Sequence, residues 1–144
     1  MSIQAINVRN QFKGKVREII RGDVVSEVDV ETPWGIVTSV ITTRSVDELQ
    51  LKIGSDVVAL VKAPWVMLMT DAEGIRLSAR NCLAGTVKSV ADGAVNAEVV
   101  LDLGGGSEVV AVVTRDAVAE LGLAAGVKAT AVIKASHVIL GVPS

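Results

Sequence analysis

The sequence predicts a mainly β protein made of two tandem OB-like small antiparallel β-barrels, each with one short helix. Three observations predict this fold: an internal repeat, apolar residues that alternate with a period of two, and apolar residues that are mostly small, with valine prominent among them. Of the 144 residues, 50% are hydrophobic but only 2% are aromatic. Small branched side chains favour strands, and pattern alone leaves a barrel and a sandwich both open.

The repeat covers nearly the whole chain. NVRNQFKGKVREIIRGDVVSEVDV, from Asn7, pairs with SARNCLAGTVKSVADGAVNAEVVL, from Ser78, at an offset of 71 (78 minus 7). Further on, Lys62 pairs with Lys134 at an offset of 72, so the second copy holds one extra residue. A hairpin turn absorbs such an insertion, whereas a strand does not. The sequence therefore predicts domains at 1–70 and 71–144, with PWG at 33–35 and GGGS at 104–107 as the turns.

The elements of each copy follow from local pattern. Alternation around Lys13, Lys15 and Arg17, and on both sides of GGGS, predicts strands. Helices are predicted where the alternation breaks: a capping-box sequence from Ser45 to Leu51, and Arg115–Leu121 after Thr114 as N-cap. We expect these helices to be closed by Gly54 and Gly126 or by the turn before them. Two further strands are predicted at 57–68 and 129–140.

Composition excludes several classes of protein. The net charge of −2 gives no global attraction to nucleic acid or to an anionic membrane. One cysteine and one histidine make a disulfide framework or a zinc cluster improbable. There is no signal peptide pattern, and no apolar run approaches the ~18 residues that span a bilayer, so we expect a cytoplasmic protein. We find no paired carboxylates, nucleophile with nearby histidine or phosphate-binding loop, and expect no enzyme.

The strongest signal lies in short motifs in a fixed order. SARN at 78–81, GTV at 85–87, GAVNAEV at 93–99 and KAS at 134–136 closely resemble the molybdenum-binding Mop domain of the TOBE family, and NVRN at 7–10 is a weaker first copy. The resemblance covers essentially the whole chain. It implies OB-like barrels, a homotrimer, and molybdate or tungstate held as an oxyanion at subunit interfaces. It implies neither an organic cofactor nor direct bonds from protein to metal.

The resemblance also implies which residues bind the oxyanion. Candidates in the second copy are Ser78, Ala79, Arg80, Asn81, Thr114, Lys134, Ala135 and Ser136. Candidates in the first copy are Asn7, Val8, Arg9, Asn10, Thr42, Ser45, Lys62 and Ala63. A second class of site is implied near a trimer axis, at Gly22, Val24, Gly93, Val95 and Asn96. Asn7 replaces the serine of the motif and Ala117 stands opposite Ser45, so we expect non-equivalent sites.

Each candidate also has an ordinary structural interpretation. Lys62 and Lys134, the only charges inside apolar strands, are also typical of strand edges. Ser78, Arg80 and Asn81 suit a turn after the linker at 70–74, and Thr42 and Thr114 suit plain N-caps. The alternative functions are a nucleic-acid-binding OB module, suggested by Lys13, Lys15 and Arg17 but lacking aromatic stacking partners, and the molybdate-sensing part of a transcription factor or transporter ATPase.

Overall fold

The computed structural model describes residues 8–70 and 75–143. Within them lie ten strands, two α-helices and two 3₁₀ turns. The first part contains β1 Asn10–Arg21, β2 Val25–Glu31, β3 Ile36–Thr42, α1 Thr43–Glu48, β4 Asp56–Val61, a 3₁₀ turn Ala63–Trp65 and β5 Met67–Met69. The second contains β6 Asn81–Asp92, β7 Asn96–Gly104, β8 Ser107–Thr114, α2 Arg115–Leu121, β9 Lys128–Ile133, a 3₁₀ turn Ala135–His137 and β10 Ile139–Gly141.

These elements form two compact units, each built on one antiparallel sheet. Unit 1 runs to Val61 and resumes at Lys134, and its strand order is β10-β4-β1-β2-β3. Unit 2 is Lys62–Ile133, with strand order β5-β9-β6-β7-β8. In each unit the two outermost strands contact each other, which closes the sheet into a barrel. The predicted fold class, two antiparallel β units with one short α-helix each, is confirmed.

The last strand of each unit comes from the other repeat. In unit 1, β10 pairs with β4 through Ile139↔Leu60 and Leu140↔Ala59. In unit 2, β5 pairs with β9 through Met67↔Val132. The strand at the end of each copy is therefore exchanged between the units, a possibility that the sequence alone leaves open. The boundary at residue 70 stays a prediction about the repeat, because the compact units have other bounds.

One long strand in each unit pairs with two neighbouring strands and carries a break in register. β1 pairs with β4 through residues 10–15 and with β2 through residues 15–21, and its register shifts between Val16 and Glu18. A Cβ on Gly14 would lie 2.2 Å from the carbonyl oxygen of Glu31, so only glycine permits this close approach. β6 repeats the arrangement with Gly85. The core beneath is mostly valine, including Val28, Val57 and Val99.

The turns agree with the prediction, while the helices agree only in part. β7 ends at Gly104 and β8 begins at Ser107, and Gly104, Gly105 and Gly106 all have positive φ. α2 spans Arg115–Leu121 with Thr114 as its N-cap, as predicted. The capping box at Ser45 is wrong: α1 begins at Thr43, because Thr42 accepts the N–H of Ser45.

The helices also end earlier than Gly54 and Gly126. α1 ends at Glu48 with Leu49 as its C-cap, and Gln50 takes a positive φ of 53°. α2 ends at Leu121, and its C-cap Gly122 has a left-handed conformation that lets its N–H bond back to the carbonyl of Ala119. Both helices therefore end in the turn before the predicted glycines.

Candidate functional site

Lys62 and Lys134, which occupy equivalent positions of the two repeats, each stand at the start of a 3₁₀ turn. β4 ends at Val61 and β9 at Ile133, so Lys62 and Lys134 do not lie inside continuous strands, and that prediction is wrong. The reason is local: the carbonyl of Lys62 accepts the N–H of Trp65 at 2.9 Å, and the carbonyl of Lys134 accepts the N–H of His137 at 2.9 Å. Both lysine side chains are exposed.

The neighbours of these lysines anchor the turns. Ala63 and Ala135 are buried, whereas Ser136 is exposed. The Nζ atom of Lys62 lies 5.6 Å from the centre of the Trp65 ring. This contact was not predicted, although the three-residue spacing is a signal for it, because side chains at i and i+3 eclipse in a 3₁₀ turn.

The SARN segment combines exposed donors with one buried anchor. Ser78 and Arg80 are exposed, Ala79 is half-buried, and Asn81 begins β6 with 2% exposure. Asn81 is paired with Ile133, the last residue of β9. In the first copy Asn10 is equally buried and pairs with Val61, with Val8 half-buried and Arg9 exposed before it. Asn7 and residues 71–74 lie outside the described residues.

The two threonines before the helices differ in how their hydroxyl groups are used. Thr114 Oγ1 accepts the N–H of Ala117 at 3.1 Å, and Thr42 Oγ1 accepts the N–H of Ser45 at 3.1 Å. Both residues are therefore N-caps. Thr42 additionally donates its O–H to Ser45 Oγ at 2.8 Å, which Ala117 does not allow in unit 2.

Strand exchange decides which candidates share a unit. Unit 1 contains the first-copy residues 8–10, Thr42 and Ser45 together with Lys134, Ala135 and Ser136 of the second copy. Unit 2 contains Ser78–Asn81 and Thr114 together with Lys62 and Ala63 of the first. The repeat predicts each lysine together with the other candidates of its own copy, whereas the structure places it in the other unit. Each unit nevertheless carries one lysine, one capping threonine and one motif of the SARN type.

The residues suggested for a second class of site lie at two hairpin tips. Val24 and Val95 are 75% and 74% exposed. Their carbonyl oxygens accept the N–H groups of Thr43 and Arg115, and the carbonyl of Gly22 accepts the Thr43 hydroxyl at 2.7 Å. In the second tip the N–H of Gly93 bonds to the carbonyl of Asn96. The tips thus present apolar side chains over backbone groups that are already partnered.

A cleft of about 870 Å³ lies elsewhere on unit 1. The basic residues Lys13, Lys15 and Arg17 line it, and none of the candidate oxyanion residues does. Lys15 bonds to Asp56 at 2.6 Å, which lowers the pKa of the Asp56 carboxyl below its ordinary value. No aromatic side chain lines the cleft, so it offers no stacking surface for bases.

Surface ion pairs hold parts of each unit together. In unit 1, Arg21 donates to Asp47 at 2.9 Å, and this hydrogen bond lowers the pKa of Asp47. In unit 2, Glu108 accepts from Lys88 and raises the pKa of that lysine. Across residues 8–70 and 75–143, no three His, Cys, Asp or Glu side chains gather as metal ligands. No helix in these ranges is long and apolar enough to cross a membrane.

Comparisons with known proteins agree on one family. The TOBE domain matches residues 6–68 and 77–140. The molybdenum-pterin-binding protein MopA of Rhodobacter capsulatus is 45% identical over 136 residues, which cover 94% of this chain and 51% of MopA. The molybdenum transport protein ModE of Herbaspirillum seropedicae is 43% identical over 137 residues, or 94% of this chain and 51% of ModE. This chain thus spans about half the length of these curated relatives.

A solved structure matches over the whole chain. It is a crystal structure of the cytoplasmic molybdate-binding protein ModG with molybdate bound. The two proteins are 57% identical, and their structures superpose with a TM-score of 0.94. The match covers 97% of this chain and 100% of the ModG chain.

Proposed function

Since the chain belongs to the TOBE domain family, we propose that it binds molybdate or tungstate non-covalently for intracellular molybdenum storage, buffering or homeostasis. The observation that carries this proposal is the match to molybdate-bound ModG, at 57% identity over 97% of this chain. At that identity the match supports a shared function as well as a shared fold. The donors that an oxyanion needs lie in the SARN motif and in the lysine turns, the two 3₁₀ turns that begin after Lys62 and Lys134.

The chemistry of the ligand sets what a site must contain. Molybdate is a tetrahedral dianion with four acceptor oxygens and no proton to donate at neutral pH. Its site therefore needs converging N–H and O–H donors and some positive charge. Lysine contributes a compact charge with three donors.

The candidate donors are distributed evenly between the units. In unit 2 they are the Lys62 amine, the Ala63 N–H, Ser78, Arg80, Asn81 and Thr114. In unit 1 they are the Lys134 amine, the Ala135 N–H, Ser136, the residues 8–10, Thr42 and Ser45. Asn10 and Asn81 are buried and Ser45 is half-buried, whereas the other polar side chains of these sets are exposed. Their exposure supports binding at a place where a second subunit covers the anion.

We propose a homotrimer as the working assembly. Exposed apolar side chains recur at equivalent positions of the two copies, Val24 and Val95, and burying them between subunits would stabilise an oligomer. The second class of site, at Gly22, Val24, Gly93, Val95 and Asn96, belongs to the same proposal. A location in the cytoplasm follows that of ModG.

Selectivity against sulfate would follow from the spacing of the donors. A smaller tetrahedral anion leaves some buried donors unsatisfied, and each such donor costs about 1–3 kcal/mol. Reversible binding of this kind requires no catalytic group, so we propose a binding protein and not an enzyme.

The test is a calorimetric titration of the purified protein with molybdate in a large excess of sulfate. Native mass spectrometry reports the number of subunits and bound anions in the same sample. Saturable binding at a fixed number of anions per trimer would support the proposal. Absence of binding by an intact oligomer would refute it, and an oligonucleotide titration would then test the nucleic-acid alternative.

A further inference from the structure

The two lysine turns have the same backbone. Lys62 has φ −68° and ψ 135°, and Lys134 has φ −67° and ψ 136°. Both turns are closed by the same hydrogen bonds, at 2.9 Å to the lysine carbonyl and 3.2 Å to the alanine carbonyl. Differences between the two lysines therefore arise from side chains and not from the main chain.

The two turns differ at two side chains: Pro64 stands where the other turn has Ser136, and Trp65 stands where it has His137. Only the second difference concerns how the lysine side chain itself is held. The Lys62 amine lies 5.6 Å from the Trp65 ring centre, within the range of a cation–π contact. Lys134 makes no corresponding ring contact within the described residues. Trp65 is 37% exposed, so its ring is partly packed and offers a face to the amine.

A ring holds a lysine in a way that suits anion binding. A free lysine side chain loses considerable rotamer freedom when it binds a ligand, so an already ordered one binds with less loss. A carboxylate partner would order the lysine but would also cancel its charge. The indole face orders the amine and leaves its net charge available for the anion.

A second difference points in the same direction. In unit 1, Thr42 donates its hydroxyl to Ser45. In unit 2, which contains Lys62, the Thr114 hydroxyl makes no such donation within the described residues, because Ala117 has no acceptor side chain. Unit 2 therefore has both the ordered lysine and the available hydroxyl.

From these observations we infer that Trp65 is a positioning residue that holds Lys62 for the anion, which makes the Lys62 site of each chain tighter than the Lys134 site. This inference rests on the proposed function. It predicts two affinity classes among otherwise similar sites, and the class that contains Lys62 fills first.

The experiment exchanges the two side chains. Trp65→His gives the first turn the residue of the second, and His137→Trp does the reverse, so each variant carries a residue that the same backbone already accommodates. Titration with molybdate should show the tighter class weakened about threefold in Trp65→His. In His137→Trp, the same titration should show tighter binding at the weaker sites, those of Lys134. Trp65→Phe should recover part of the affinity, because phenylalanine keeps a ring face.

The controls separate positioning from a general effect on the fold. Trp34→His changes the other tryptophan, which lies in the β2–β3 turn, and should leave both affinities unchanged. In a Lys62→Ala background, Trp65→His should have no further effect, since Trp65 acts through the lysine. Equal affinity of Trp65→His and wild type, or an undiminished effect in the Lys62→Ala background, would overturn the inference while the proposed function stands. No binding by the wild type would remove both.

Discussion

The hydroxyl of Ser39 donates a 2.7 Å hydrogen bond to the carbonyl oxygen of Val138, which lies 99 residues further along the chain. Ser39 is fully buried on β3, and Val138 directly precedes the exchanged strand β10. The bond joins the two edges of the barrel of unit 1. The equivalent residue of unit 2 is Ala111, whose side chain has no donor, so it cannot form this hydrogen bond.

Replacing Ser39 tests the closure. Ser39→Ala should lower the free energy of unfolding by about 1–2 kcal/mol, because a buried carbonyl loses its donor. Ala111 shows that the fold accommodates alanine at this place. Urea denaturation measures the change, with Ser89→Ala on the exposed side of β6 as the matched control. Equal stability of the two variants would mean that the bond contributes nothing.

The exchange of strands makes a prediction for a single repeat. A fragment of residues 1–70 lacks β10, so the edge of β4 at Val58–Leu60 has no partner of its own. β5 pairs with β9 in the register in which β10 pairs with β4, so β5 of one fragment suits the open β4 edge of another. We therefore expect two fragments to exchange β5 and form dimers. Native mass spectrometry over a range of concentrations measures this. Leu68→Pro, which removes a strand N–H, should abolish the dimer, and a stable monomer of the unmodified fragment would contradict the expectation.

Lys134→Ala should weaken molybdate binding with little loss of stability. The side chain is exposed and pairs with nothing in the described residues, so its removal leaves no unsatisfied group. Loss of a charge-assisted hydrogen bond should lower the affinity of its site at least about tenfold. Calorimetry measures the affinity, and Lys128→Ala, an exposed lysine at the start of β9, is the control. Unchanged affinity in Lys134→Ala would remove this lysine from the site.

The pair of Arg21 and Asp47 predicts a dependence of stability on pH. The hydrogen bond from Arg21 lowers the pKa of Asp47 below its ordinary 3.8. The ion pair therefore contributes its full stabilisation at pH values above the ordinary pKa of Asp47. This stabilisation is lost as the pH falls through the lower pKa that Asp47 has in the folded protein. Thermal unfolding between pH 7 and about pH 2 should show a smaller acid-induced loss in Asp47→Asn than in the wild type. Asp23→Asn, at a residue without an ion pair in the described chain, should leave the wild-type profile unchanged.

Local features of the fold were predictable and the pairing between distant segments was not. Thr114 before Arg115–Leu121 and the glycines before Ser107 act on their own neighbours, so pattern alone located them. β5 and β10 occupy equivalent positions of the two copies, and Met67↔Val132 repeats the register of Ile139↔Leu60. Pairing within a copy and pairing across copies are therefore indistinguishable in sequence.

In the candidate site, too, the residues themselves were predictable from sequence but their grouping in space was not. The motif at 78–81 and both lysines could be named from sequence, because their residue types and order are specific. Their grouping depends on the strand exchange, which brings Lys62 into the unit of Ser78–Asn81. The contact of Lys62 with Trp65 also depends on a 3₁₀ turn that interrupts what reads as one continuous apolar strand.

The exchanged strands also set an order of events during synthesis. A ribosome adds residues from the N-terminus at roughly 5–20 per second, so every strand of unit 2 has been made once residue 133 emerges. Unit 1, although it begins first, must wait for residues 139–141 before its sheet is complete. For that interval the nascent chain carries a complete second barrel and an incomplete first one. The unpaired edge of its β4 is then open to β10 of another chain that is being made on the same messenger RNA.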